Sequence, residues 1–289
     1  MTTSKLSELD FLVLQTLAYS SCFNFALTAE EVIKRLPYSE KFKFSRQKIR
    51  NSLKKLLQQS LLQSDNQYFY LAKRDLQNRQ QKSKHFELKH AEVAKFVALA
   101  KQIPFIRAVV LTGSTAVNNA GRSDDLDFMI ITRRNTLWLT RMLLIVLTKL
   151  KGKRPLRHAS NAWCFNLLLD EGDLSLTRER HSLYEAYEIL QMQFVLDRGE
   201  LERAFLDANS WLRGQLFFYA SYKFGRYQSK KSFSLLNYLL FMLQKTYRHL
   251  VFGRENFALN LTQAFFNELA FREQIFAKLE RKMKGILPS

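Results

Sequence analysis

Val109-Val110-Leu111-Thr112-Gly113-Ser114, followed after ten intervening residues by Asp125-Leu126-Asp127-Phe128-Met129-Ile130-Ile131, decides how this chain is read. Val109, Val110 and Leu111 make a short apolar strand, and Gly113 permits a tight turn. Ser114 then opens a helix whose first amides and hydroxyl suit a phosphate. Asp125 and Asp127 stand two residues apart on a second strand, so both carboxylates project from one face. Two such acids can share a divalent cation. Mg²⁺ takes few protein carboxylates and completes its shell with water and substrate phosphates. In phosphoryl or nucleotidyl transfer the ion aligns the reacting oxygens and neutralises developing charge. The plainer alternative is an ordinary turn followed by a solvated strand edge.

Gly-Ser, a ten-residue spacer and then alternating acid and apolar residues resemble the signature of the polymerase-beta-like nucleotidyltransferase superfamily, over roughly residues 92 to 176. Leu111 to Ser114, Ser123 to Asp127 and the run Ile131-Thr132-Arg133-Arg134-Asn135-Thr136-Leu137-Trp138 are similar to small bacterial proteins with such a domain. The resemblance implies a small mixed sheet, with Asp125 and Asp127 as catalytic and metal-binding residues for Mg²⁺ or Mn²⁺. It also implies that Gly113 and Ser114 hold the triphosphate of an NTP, ATP foremost, whose NMP passes to an acceptor as pyrophosphate leaves.

The superfamily normally adds a third carboxylate from a later strand. The best strand for it here, Trp163-Cys164-Phe165-Asn166-Leu167-Leu168-Leu169, carries Asn166 in that place. An amide oxygen ligates a metal without charge and is a poor base, so Asn166 is a possible third ligand of reduced strength. Asp170 and Asp173 either substitute for the missing acid or belong to a turn leading to a strand at Leu174-Ser175-Leu176. Two readings stay open: a nucleotidyltransferase acting on an unidentified acceptor, and a noncatalytic nucleic-acid-binding regulator with a degenerate nucleotidyltransferase domain.

Upstream, residues 1–74 follow the order of a winged helix-turn-helix. Leu9, Leu12, Val13 and Leu17 give a first helix its apolar side, and Phe23 to Leu27 suits a short strand. Thr28 with Glu31 forms a capping box for a second helix. Ser45 caps a third, with Ile49, Leu53, Leu56 and Leu57 on one side and Gln47, Lys48, Asn51, Lys54 and Lys55 on the other. Leu61 to Leu71, with the turn Ser64-Asp65-Asn66-Gln67, has the form of a hairpin wing. Lys48, Lys54 and Lys55 are the expected contacts to DNA or RNA, with protein docking as the alternative use of this unit.

Residues 75–180 are the expected nucleotidyltransferase domain, entered through a polar linker or exposed helix start at 75–85 and an amphipathic helix ending before Pro104. Asn135 is the expected cap of the following helix. Lys149, Lys151, Lys153, Arg154 and Arg157 after that helix either meet a polyanion or answer its C-terminal dipole. Residues 181–289 read as wholly helical, starting at Ser182 with Glu185. In that domain Tyr219, Lys223, Arg226, Lys245 and Arg248 either line an acceptor groove or rim a plain core. The fold expectation is therefore helix-rich α/β in three units.

The 289 residues carry 45 Lys and Arg against 26 Asp and Glu, a formal charge of +19, which calls for an acidic partner such as nucleic acid, nucleotides or an anionic membrane surface. Two cysteines exclude a disulfide framework and fit a reduced, cytoplasmic protein. The apolar runs at 143–147 and 235–243 stop short of the ~20 residues needed to cross a bilayer. The five histidines have no zinc or triad spacing.

Overall fold

The computed structural model describes residues 6–41, 44–153, 161–252, 258–266 and 269–286. Arg154, Arg157 and His158 lie outside them. The first three helices start where side-chain caps are available. Ser7 and Asp10 form a reciprocal capping box for α1 (Glu8–Ser21), and Thr28 with Glu31 does the same for α2 (Ala29–Arg35). Ser45 accepts the Lys48 amide at the start of α3 (Arg46–Gln58). The strands β1 (Gln63–Ser64) and β2 (Phe69–Tyr70) pair antiparallel as a short hairpin, in the place expected for the wing. Of the strand expected at Phe23 to Leu27, one bridge remains, Leu27 to Phe69.

The segment 75–85, expected as a polar linker or the exposed start of a helix, falls mostly in helix α4 (Lys73–Ser83), which is largely exposed yet fastened to this unit. Arg79 pairs with Glu31 at 2.8 Å and lies over the rings of Phe25 and Tyr68 at 4.3 and 4.5 Å. Helix α5 (Phe86–Ala100) follows.

The central sheet is built from β3 (Ile106–Leu111), β4 (Leu126–Thr132), β5 (Trp163–Asp170), β6 (Gln193–Asp197) and β7 (Gln263–Phe265), in the order β6-β3-β4-β5-β7. Only β4 and β5 run parallel; the other pairs are antiparallel. The one-turn helix α6 (Gly113–Ala116) joins β3 to β4, and α7 (Leu137–Leu150) carries the crossover toward β5. Next come α8 (Leu183–Gln191), α9 (Leu201–Ala208), α10 (Phe217–Ala220), α11 (Leu235–Phe252) and α12 (Leu269–Ile286). Helix-rich α/β architecture with a mixed sheet is thus observed.

Strand alternation divides the core in two. Val109, Leu111, Phe128, Ile130 and Leu168 pack with Phe96 of α5 and Trp138 of α7. Ala108, Val110, Met129, Ile131 and Leu169 join Tyr187 of α8, the apolar residues of α1, α2 and α3, and Ile275, Leu279 and Met283 of α12. That second cluster crosses the sequence boundary at residue 74 without interruption.

Residues 181–289 are not wholly helical. β6 begins two residues after α8, and its apolar residues continue the α8 stripe in sequence, which hides the change of period. β7 is three residues long, too short for any periodicity to show. Residues 174–176 are not a strand; Asn209 holds them instead. Its fully buried amide accepts from the Leu176 amide at 2.9 Å and from Trp211 Nε1 at 3.0 Å, and donates to the carbonyls of Leu174 and Phe205 at 3.0 and 2.8 Å. Nor does Asn135 cap α7. Its backbone is left-handed at φ 62° and its side chain bonds Ser232, while Asn237 of α11 accepts the Trp138 amide at 3.0 Å.

Asn209→Ala strands four buried partners and is expected to lower the unfolding free energy by about 2–4 kcal/mol. Urea unfolding followed by circular dichroism measures it; a loss within error of zero means that solvent reaches these groups.

Candidate functional site

β3 ends at Leu111, and the amide of the next residue, Thr112, donates to the Asp127 carbonyl at 2.9 Å and so brings the turn alongside β4. Gly113 sits at φ +63°, and a Cβ there would fall 2.7 Å from Asp127 Oδ2. Both the backbone conformation and the approach of the carboxylate require glycine. Because α6 is a single turn, a phosphate at this point would meet the turn amides and the Ser114 hydroxyl, with little support from a helix dipole.

Asp127 is the second residue of β4, whereas Asp125, expected on the same strand, lies just before it; both are nonetheless at Cys164. Asp127 is paired with Cys164 in the parallel register. Asp125 accepts the Ala162 amide at 3.1 Å and approaches Cys164 Sγ at 3.6 Å. The Cys164 thiol is pushed up to about 12 by burial and then by the charges of both aspartates. Asn166 is the extra residue of a bulge in β5, and its Nδ2 donates to Asp127 Oδ1 at 2.6 Å. Burial raises the Asp127 carboxyl to about 6; the Asn166 bond opposes this, and the charges of Asp125 and Asp124 add to it.

Asp125 and Asp127 are the residues that could hold a divalent cation, two carboxylates with the rest of the shell left to water or a ligand. Asn166 turns its amide donor, not its oxygen, toward Asp127. Among the described residues, no three His, Cys, Asp or Glu side chains are grouped to hold a metal. Asp170 and Asp173 do not fill the gap. They sit at the far end of β5 in the expected turn, where Asp170 accepts the amides of Gly172 and Asn135 and Asp173 meets Lys231 at 3.0 Å.

Gly113, Ser114, Asp127 and Asn166 open into a cavity of about 560 Å³; Asp125 stays behind them. The opposite wall comes from elements far away in sequence. Glu188 of α8 faces the cavity, its carboxyl raised to about 7 by burial and by the charge of Asp127, with Arg35 opposing. Arg35, at the end of α2, is 7% exposed and forms no side-chain hydrogen bond or ion pair with a described residue. Arg180 is 9% exposed and lies 3.7 Å over the Phe265 ring. Tyr19 and Phe25 complete an aromatic side. Glu188, Arg35 and Arg180 escaped the sequence reading. The one available signal was Glu188 following Tyr184 by a helical turn on a strongly amphipathic helix, which by itself marks nothing.

A further residue missed from sequence is Lys89 of α5, 2% exposed, which donates to the Asp124 carbonyl and to Asn161 Oδ1 and so ties the starts of β4 and β5 together. None of Tyr219, Lys223, Arg226, Lys245 and Arg248 lines the cavity. Tyr219 is buried among Phe218, Tyr222 and Phe224, and Lys245 and Arg248 lie over Phe241 and Phe266.

On α3, Lys48 and Lys54 are exposed. Lys55 is withdrawn from the expected reading surface. Its ammonium meets the buried Asp10 carboxylate at 2.6 Å, where Ser52 also donates. Burial works to raise the Asp10 carboxyl, yet the bonds from Lys55, Ser52 and Ser7 hold it below its usual value. Lys153 pairs with Glu92 at 2.8 Å, leaving Lys149 exposed in the last turn of α7 and Lys151 exposed just after it.

No family model, curated protein or solved structure matches this chain.

Folding disfavours charged Asp127, so the stability tied to its neutral form is present below its ordinary value of 3.8 and lost as pH rises through about 6. Asp127→Asn is therefore expected to raise the unfolding free energy above that range, by on the order of 1–3 kcal/mol, and to change little near the bottom of it. Urea titrations of both proteins across the acid range provide the check, and equal gains at every pH would count against a raised carboxyl.

Proposed function

We propose that this cavity binds a nucleoside triphosphate with Mg²⁺ or Mn²⁺ and passes its nucleotidyl group to an acceptor hydroxyl. The observation that carries the reading is the apposition of the Gly113-Ser114 turn and the Asp127 carboxylate at the mouth of a cavity walled by Arg35 and Arg180. A cation held by Asp125 and Asp127 would supply charge neutralisation at the phosphates. The Gly113 region and Ser114 donate hydrogen bonds to phosphate oxygens, and the two guanidiniums add charge-assisted donors. Tyr19 and Phe25 offer the base an aromatic wall. Glu188 stands across from Asp127 and serves as the proton acceptor that Asn166 cannot be.

The second reading, a nucleotide-binding regulator without transfer, is favoured by the 2.6 Å bond from Asn166 to Asp127 in place of a third acid. In either case we propose that α3 meets DNA or RNA through Lys48 and Lys54, with Arg46 and Arg50 tethered to Glu30 at 2.9 and 2.5 Å.

Transfer is tested by incubating the protein with each α-phosphate-labelled NTP, Mg²⁺ or Mn²⁺, and cell extract. Label is expected on an acceptor and should vanish in the folded Asp125→Ala/Asp127→Ala double variant. Glu188→Gln should lower the rate about a hundredfold while NTP still binds. Binding without transfer under all conditions selects the regulator; neither binding nor transfer removes both readings.

For nucleic acid, Lys48→Ala/Lys54→Ala is expected to flatten the slope of log affinity against log salt by up to about two units on duplex DNA. Titrations at several salt concentrations measure it, and an unchanged slope reassigns α3 to protein docking.

A further inference from the structure

Helix α11 turns much of its apolar surface outward. Its inward side is mixed: Phe241 packs on Trp138, while Asn237 bonds the Trp138 amide and the Leu261 carbonyl, and Gln244 bonds the Trp138 carbonyl at 2.8 Å and accepts from Arg141 at 2.5 Å. Its outward side carries Leu235, Leu236, Leu239, Leu243, Tyr247 and Leu250, each between 54% and 77% exposed. Ile145, Val146 and Leu150 of α7, which packs beside α11, extend this surface. Large contiguous apolar patches mark interaction sites, and the charge around this one selects the occupant. Residues 137–153 and 235–252 contain no Asp or Glu, while Lys149, Lys151 and Lys245 are exposed among them.

We propose that α11 and α7 form a surface that lies on a bilayer bearing anionic phospholipid headgroups. Such a bilayer supplies both things that the face lacks, an apolar layer for the leucines and negative charge for the lysines. A second copy of this chain would bring the same cations and no carboxylate from the corresponding helices, on a molecule of net charge +19. Among the described residues no helix is long and apolar enough to cross a membrane, so the contact is one of lying in the interface. At 18 residues, α11 would extend about 27 Å along the headgroup plane. The inference is independent of the nucleotide reading.

The test is sedimentation of the full chain with vesicles of phosphatidylcholine containing phosphatidylserine, and with vesicles of phosphatidylcholine alone. Binding is expected to the first and to be weak on the second. Lys149→Ala/Lys151→Ala/Lys245→Ala should weaken binding by up to about a hundredfold at low salt. Leu239→Gln/Leu243→Gln/Leu250→Gln, at exposed positions and checked for fold by circular dichroism, should abolish it, while Lys48→Ala/Lys54→Ala should bind as the unsubstituted chain does. The proposal is overturned if the glutamine variant sediments like the unsubstituted protein, since binding is then diffuse electrostatic attraction. It is equally overturned if vesicles are ignored and the same variant instead dissolves a dimer seen by analytical ultracentrifugation.

Discussion

β3 and β4 are apolar on both faces, and a sheet centre of that kind must be covered on both sides before it is stable. The helices α5, α7 and α11 cover one face, and α8 with the N-terminal helices covers the other. Since Asp127 alternates with Phe128, its carboxylate points to the second side. The N-terminal unit therefore covers the very face on which that carboxylate lies, and this brings Arg35 and Phe25 into the cavity. One packing requirement thus makes the N-terminal helices part of the cavity wall rather than an appendage.

The electrostatics follow from the same enclosure. Away from water, Asp127 and Glu188 resist ionisation together, while Arg35 and Arg180 lie nearly buried beside them. The cavity thus sets two carboxyl groups and two guanidiniums around one space. The bulge in β5 aims the Asn166 amide at Asp127, and α8 adds the Glu188 carboxyl to the lining of the same cavity.

Outside the cavity, the basic excess is unevenly used. Lys55 stabilises the buried Asp10, Arg79 clamps Glu31 and Lys89 ties two strand starts together, so these cations are internal. Lys48 and Lys54 on one surface, and Lys149, Lys151 and Lys245 on another, are left to solvent. The net charge of a sequence does not distinguish a lysine inside an ion pair from one free to meet a partner.

Local signals were legible from sequence alone wherever a few neighbouring residues settle the matter. Thr28 with Glu31 and Ser45 mark helix starts, Gly113 marks a turn that needs its freedom, and the two-residue spacing of Asp125 and Asp127 brings both to Cys164. Tertiary structure alone decided what depends on partners distant in the chain. The strands β6 and β7 take their conformation from hydrogen bonds to β3 and β5, the α7 terminus is capped from α11, and Lys55 is claimed by Asp10. Glu188, Arg35 and Arg180 line the same cavity as Asp127 because their helices and loops bury apolar surface against the same sheet face, and burial against a remote segment leaves no short-range trace in the sequence.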